Sequence, residues 1–216
     1  MTTAIRCSLV GTLLLVGCGE DEPCGGGQPT TYRATFSATW SASTHSEGFP
    51  DDPHFSRLIG GSHNSAVTFW REGGMATPGI EQMAETGGTG DLGDEVEAAV
   101  EAGNACLKVQ GGGVNPSPGS TSVEFPIDVN HPLVTLTTMV APSPDWFVGV
   151  NGLDLRDTDG SWVSTQTVDL YVYDAGTDDG SEFTSADKDT QPRQPIARLS
   201  GGVFDTPFGT LTFEQL

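Results

Sequence analysis

An all-β fold, an antiparallel β-sandwich carrying a short helical insertion, is what this 216-residue sequence predicts. Three observations lead there. Gly (29) and Pro (14) are abundant and punctuate the chain into short runs, as turn-rich β-domains require. Those runs alternate apolar and polar residues, most clearly where Tyr32, Ala34, Phe36, Ala38 and Trp40 interleave with polar neighbours, the period of a half-buried strand. One stretch, residues 77–103, breaks the alternation with apolar residues at helical spacing.

In chain order, residues 31–40 form the first expected strand. The Pro- and Gly-rich stretch 45–64 reads as a loop, and residues 65–70, with Val67, Phe69 and Trp70, as the next strand. Thr77-Pro78 then opens a short helix with Pro at its first position; Ile80, Met83 and Ala84 share a face. A second helix over 91–102 places Leu92, Val96, Ala99 and Val100 on one side, and the glutamates of the whole helical stretch 77–103 read as a solvated face. Further strands are expected over 105–110, 122–129, 133–141, 146–155, 162–173, 196–199 and 211–214, with Asp157-Thr-Asp-Gly160 as a hairpin turn. There is no internal repeat, and residues 30–216 read as one domain.

The residues ahead of that domain read as an export signal. One cation, Arg6, precedes an apolar run over 7–17 that is too short to span a bilayer. The run ends in Leu15-Val16-Gly17-Cys18, which resembles a bacterial lipobox; residues 1–17 would be removed and Cys18 lipidated, anchoring the protein to a membrane. The alternative is an ordinary secretory signal with an incidental cysteine. Residues 18–29 form an acidic, Gly-rich tether. Of the remaining cysteines, Cys24 and Cys106 form a disulfide in an oxidising compartment or stay as two thiols. The net charge of −20, from 29 acidic against 9 basic residues, leaves little to neutralise phosphates and so excludes nucleic acid as a partner. It suits cation binding and also an ordinary soluble extracellular surface.

Asp145, Asp174 and Asp178 are the residues that point to chemistry. Pro142 and Pro144 stiffen the approach to Asp145, at the entrance of one expected strand. Asp174 stands at the exit of another, and Gly176 permits a turn that returns Asp178 toward it. If the two strands are antiparallel neighbours, the three carboxylates converge at one end of the sandwich. Hard oxygen donors on such loops suit Ca²⁺ rather than zinc. Aspartates capping turns is the competing reading.

The same stretches, Ser143-Pro144-Asp145-Trp146 and Asp174-Ala175-Gly176-Thr177-Asp178, closely resemble the signature of the spondin domain of F-spondin-type extracellular matrix proteins. Tyr32 to Ser41, His54 to Asn64, and Phe69-Trp70 with Gly73, Ala76 and Gly79 extend the resemblance over roughly residues 30–200. It implies a C2-like sandwich that binds one Ca²⁺ through Asp145, Asp174 and Asp178, with Asp179 standing where a small polar residue is usual. The chain then reads as a lipid-anchored surface protein built on a spondin domain, a non-enzymatic binding or adhesion module for a matrix or cell-surface ligand. A calcium-dependent lipid binder inserting Trp146 and Phe147 is the second reading. A hydrolase is the third: His45, His54, His63 and His131 are present, but no GxSxG or HExxH motif is.

Overall fold

The computed structural model describes Cys24 and residues 29–216; Cys18 and the rest of the leader and tether lie outside the described residues. The chain builds β1 (Thr30–Ala38), β2 (His54–Phe55), β3 (Ile59–His63), α1 (Pro78–Thr86), α2 (Gly90–Glu101), β4 (Ala105–Gln110), β5 (Gly119–Ile127), β6 (Leu133–Ala141), β7 (Trp146–Asp154), β8 (Thr165–Leu170), β9 (Tyr173–Asp174), β10 (Ala197–Arg198) and β11 (Gly209–Gln215). One sheet has the order β5-β1-β11-β8, the other β10-β9-β7-β6-β3-β4, with β2 alongside β6. Every pairing between these strands is antiparallel. The fold is therefore the all-β sandwich with a helical insertion that the sequence predicts. Among the described residues no helix is long and apolar enough to cross a membrane.

Two apolar cores explain the layering. Between the sheets, the inward residues of β1 (Tyr32, Ala34, Phe36) meet Val134, Leu136, Val148 and Val150 of β6 and β7. The outer face of the second sheet is covered in turn: Ile80, Met83 and Ala84 of α1 and Leu92, Val96 and Ala99 of α2 pack with Ile59, Met139 and Phe147. β6 is thus buried on both faces, and its threonines are satisfied internally. Thr137 Oγ1 donates to the Ile59 carbonyl at 3.2 Å and Thr138 Oγ1 to the Ser56 carbonyl at 2.8 Å.

Three expectations are corrected. Residues 65–70 are not a strand; Phe69 and Trp70 are buried, but they anchor a loop into the helix-side core. The true strand is the preceding Ile-Gly-Gly-Ser-His run, β3, which the double glycine makes look like a loop. Its glycines serve packing: a Cβ on Gly60 would stand 1.9 Å from the Thr135 carbonyl oxygen. The expected long strand over 162–173 is divided. β8 belongs to the first sheet, and after Tyr171 and Val172 the chain joins the second sheet as β9.

The helix ends follow their sequence signals. Thr77 caps α1, its hydroxyl accepting from Ile80 N–H at 3.2 Å, with Pro78 following. Glu95 of α2 reaches the same end, accepting from Gly79 N–H and Thr77 Oγ1, both at 2.8 Å. This fixes α1 on α2 and hence on the sheet.

His63, at the end of β3, is buried between Thr135 Oγ1 and the Asn64 carbonyl, each 2.8 Å from a ring nitrogen. Burial lowers its pKa, His131 adds to that, and the Asn64 contact opposes it. Below about pH 6.5 the unfolded chain takes up this proton before the folded one does. Stability is therefore full above that pH and falls as pH drops, by at most about 1.4 kcal/mol per pH unit from this group. Urea unfolding followed from about pH 7.5 to about pH 5.5 should show a shallower decline in His63→Gln than in the wild type.

Candidate functional site

Two segments meet at one end of the second sheet. Trp146 of β7 pairs with Asp174 of β9, and Phe147 with Tyr173. Ala175 N–H donates to the Asp145 carbonyl at 3.1 Å, continuing the pairing one step outward. The strand entrance at Asp145 and the strand exit at Asp174 are thus antiparallel neighbours. The chain then turns at Gly176, where φ is +75°. A Cβ there would stand 2.1 Å from the Gln194 carbonyl oxygen. Gly176→Ala combines an unfavourable φ with a backbone clash and should cost about 2 kcal/mol or more; unchanged denaturant midpoints would contradict this.

The carboxylates organise the loop through its backbone amides. Asp145 is fully buried, and its Oδ2 accepts from Thr177 N–H at 2.7 Å, Asp178 N–H at 3.1 Å and Thr177 Oγ1 at 3.2 Å. Its Oδ1 is buried with no hydrogen-bond partner. Asp174 Oδ1 accepts from Gly176 N–H at 2.8 Å. Asp178, also buried, accepts from Gly180 N–H through Oδ1 and from Lys188 N–H through Oδ2, each at 2.6 Å. Asp179 turns outward, accepting from Lys188 Nζ at 2.7 Å and Thr190 Oγ1 at 2.9 Å, and so decorates the turn.

The electrostatics record the crowding. Burial pushes the Asp145 carboxyl above its ordinary range; the Thr177 and Asp178 donors counter this, and the charge of Asp178 reinforces it. Asp174 is pushed up to about 6, first by burial and then by the charge of Asp145, with a smaller push from Asp178; Gly176 N–H and the Trp146 side chain temper the rise. Glu85, in the last turn of α1, belongs to the same field. Burial raises its pKa, contact with Thr177 lowers it, and Glu81, Asp145 and Asp178 raise it further. Among the described residues no Lys or Arg forms an ion pair with Asp145 or Asp174, whereas Arg193 lies within electrostatic reach of Glu85. The nearby cations have their ion pairs at the margin of the cluster, Arg193 with Glu81 and Lys188 with Asp179, and the Lys188 charge also reaches Asp178.

Glu85 corrects the sequence reading of the helical glutamates as a solvated face. Helical spacing puts it on the flank of the Ile80–Met83–Ala84 face, and nothing in that spacing says which loop the flank meets. The three aspartates, for their part, do act as turn caps. Among the described residues no group of three His, Cys, Asp or Glu side chains is disposed to hold a metal ion as it stands. Asp174 and Asp178 are turned onto amides of their own loop. The donor set nevertheless fits a hard divalent cation in its chemistry: oxygen only, largely buried, and with one orphaned oxygen aligned with none of the loop amides.

Two other expectations meet the structure here. Trp146 and Phe147 are 3% and 0% exposed, so neither projects for insertion into a lipid surface. Trp146 sits in the inter-sheet core and Phe147 under α1. The histidines hold structure in place. His45 contacts Thr44 Oγ1 and the Thr206 carbonyl, His54 the Asp52 carbonyl, and His131 the buried Asp128. Ser62 reaches toward the Pro126 carbonyl rather than to its neighbour His63. The predicted Cys24–Cys106 pair is bonded, with its Cα atoms 4.7 Å apart.

Fold and loops together define a two-sheet β-sandwich with one helix-covered sheet and an acidic loop cluster at a sheet end. A family model of the spondin N-terminal domain matches residues 30–208, and the chain belongs to that family. Human spondin-2 is 33% identical over 219 residues, spanning 99% of this chain and 66% of that protein. Spondin-1 from Gallus gallus is 35% identical over 174 residues and that from Xenopus laevis 36% over 177, each spanning 78% of this chain and 22% of the relative. The chain thus spans a little under two thirds of spondin-2 and about a fifth of spondin-1.

Proposed function

We propose that this chain is an exported, lipid-anchored binding or adhesion module in which one calcium ion ties the two acidic loops together. Membership of the spondin family supports the binding-module reading. The observation that carries the ion reading is Asp145 Oδ1, a buried carboxylate oxygen with no partner, beside a second carboxyl raised to about 6. An unpaired buried carboxylate is costly, and a divalent cation removes that cost. Asp145, Asp174 and Asp178 would hold the ion, Asp174 or Asp178 giving up a loop amide to do so. When bound, the ion would supply the positive charge that, among the described residues, no Lys or Arg ion pair brings to Asp145 or Asp174. The lipid anchor would be Cys18, and the partner a matrix or cell-surface ligand.

The test is an array of glycans and matrix proteins probed with the purified protein in excess calcium and in chelator. A ligand retained only with calcium, and lost by the Asp145→Ala/Asp174→Ala double variant, is the expected outcome. Ligand capture indifferent to calcium and to the variant would remove the ion from the function.

A further inference from the structure

Beside the acidic loops lies a cleft of about 700 Å³. One wall is the segment after Gly180, bearing Glu182 and Phe183; the other is the single 3-10 turn Gly202–Asp205 with Phe204. Trp146 forms part of the lining, and Glu47 stands at the mouth. Trp146 and Phe183 are buried, 3% and 5% exposed, and floor the cleft, while Phe204 is half-buried beside them. Trp146 meets Phe183 and Phe204 edge-on at centroid distances of 5.1 and 5.2 Å, and the two phenylalanines lie 6.1 Å apart at 35°.

The walls are held. Asp205 Oδ1 accepts from Gly201 N–H at 2.8 Å, closing the 3-10 turn. Glu182 N–H donates to Ser185 Oγ at 3.0 Å. Gly48 packs against Phe183, where a Cβ would stand 3.7 Å from the ring, and the Glu47 carboxylate lies over Gly202, 3.5 Å from where its Cβ would be. Both glutamates are exposed, and no Lys or Arg lines the cleft.

A cleft with an aromatic floor, whose charged lining residues are both carboxylates, is complementary to a cation on an apolar stem. The stem covers the half-buried Phe204 and Val203, while the charge is drawn to the carboxylates. A chain of net charge −20 also steers basic partners toward itself. We propose that this cleft receives an arginine or lysine side chain from a basic segment of a protein partner, with Glu47 and Glu182 meeting its charge and Phe204 and Val203 its stem. The site does not depend on the calcium reading, since none of its charged groups is among the three aspartates.

The test is fluorescence anisotropy of labelled hexa-arginine and hexa-lysine peptides with the full-length chain, run in calcium and in chelator, with a hexaglutamine peptide as the neutral control. Glu47→Gln/Glu182→Gln should weaken binding of the basic peptides about tenfold. Glu101→Gln/Glu214→Gln, which changes the formal charge equally at exposed positions on α2 and β11, should leave binding unchanged. No binding of the basic peptides, equal weakening in both double variants, or undiminished binding in Glu47→Gln/Glu182→Gln would overturn the proposal. A calcium-independent interaction that meets the expected pattern would support the cleft while leaving the ion reading to be decided separately.

Discussion

Asp145→Ala is expected to lower the unfolding free energy by about 3 kcal/mol and to abolish any calcium response. The carboxylate accepts from two backbone amides and one hydroxyl, all in a buried setting. Alanine strands the Thr177 and Asp178 N–H groups, at about 1–3 kcal/mol each, while relieving one like charge in the cluster. Asp145→Asn separates the two roles. Its amide oxygen can keep the contacts to Thr177 and Asp178, so the fold should lose less than in the alanine variant, yet the charge that would hold an ion is gone. Urea unfolding with and without calcium reads both quantities. An alanine variant that loses less than about 1 kcal/mol would show that the 175–178 turn does not depend on Asp145.

Loss of the Cys24–Cys106 bridge should cost about 4 kcal/mol, estimated from the chain entropy released when a loop of this length is no longer closed. The bonded residues are 82 apart in sequence, and both are buried. Cys106 lies in β4, the strand at one end of the second sheet's order, whereas β9 and β10 lie at the other. The bridge therefore ties the N-terminal stretch to the sheet edge opposite the acidic loops. Comparing denaturant midpoints of the oxidised chain with the Cys24→Ser/Cys106→Ser variant measures the effect; coincident midpoints would contradict it.

Much of this was legible in the sequence, because alternation and turn residues report local geometry directly. β4 and β6 coincide with their expected runs, and α1 begins at the Thr-Pro pair. The strand entrance at Asp145 and the strand exit at Asp174 were likewise readable, but their antiparallel pairing was a condition that only the structure supplies. What was not legible depends on the third dimension. β3 is concealed because Gly60 and Gly61, needed for close approach of β6 and α2, look locally like a turn. Residues 65–70 have strand composition, yet their aromatics are drawn into a core that helices supply. The 162–173 run has one alternation throughout, and periodicity does not record that the chain leaves one sheet for the other at Tyr171. Glu85 entered the acidic field through the packing of α1, and the cleft beside Trp146 is built from segments far apart in sequence. Neither the orphaned oxygen of Asp145 nor its companions' backbone amides could be inferred from spacing.

The central claim is that a calcium ion closes the acidic loops, and thermal unfolding of the purified chain tests it most directly. At a calcium concentration of about 100 times the dissociation constant, binding to the folded state alone adds about 2.7 kcal/mol. For a domain of this size that corresponds to a rise in Tm of roughly 5–10 °C over the same protein in chelator. The Asp145→Ala/Asp174→Ala variant should show no such difference. Identical melting temperatures of the wild-type protein in excess calcium and in chelator would contradict the claim.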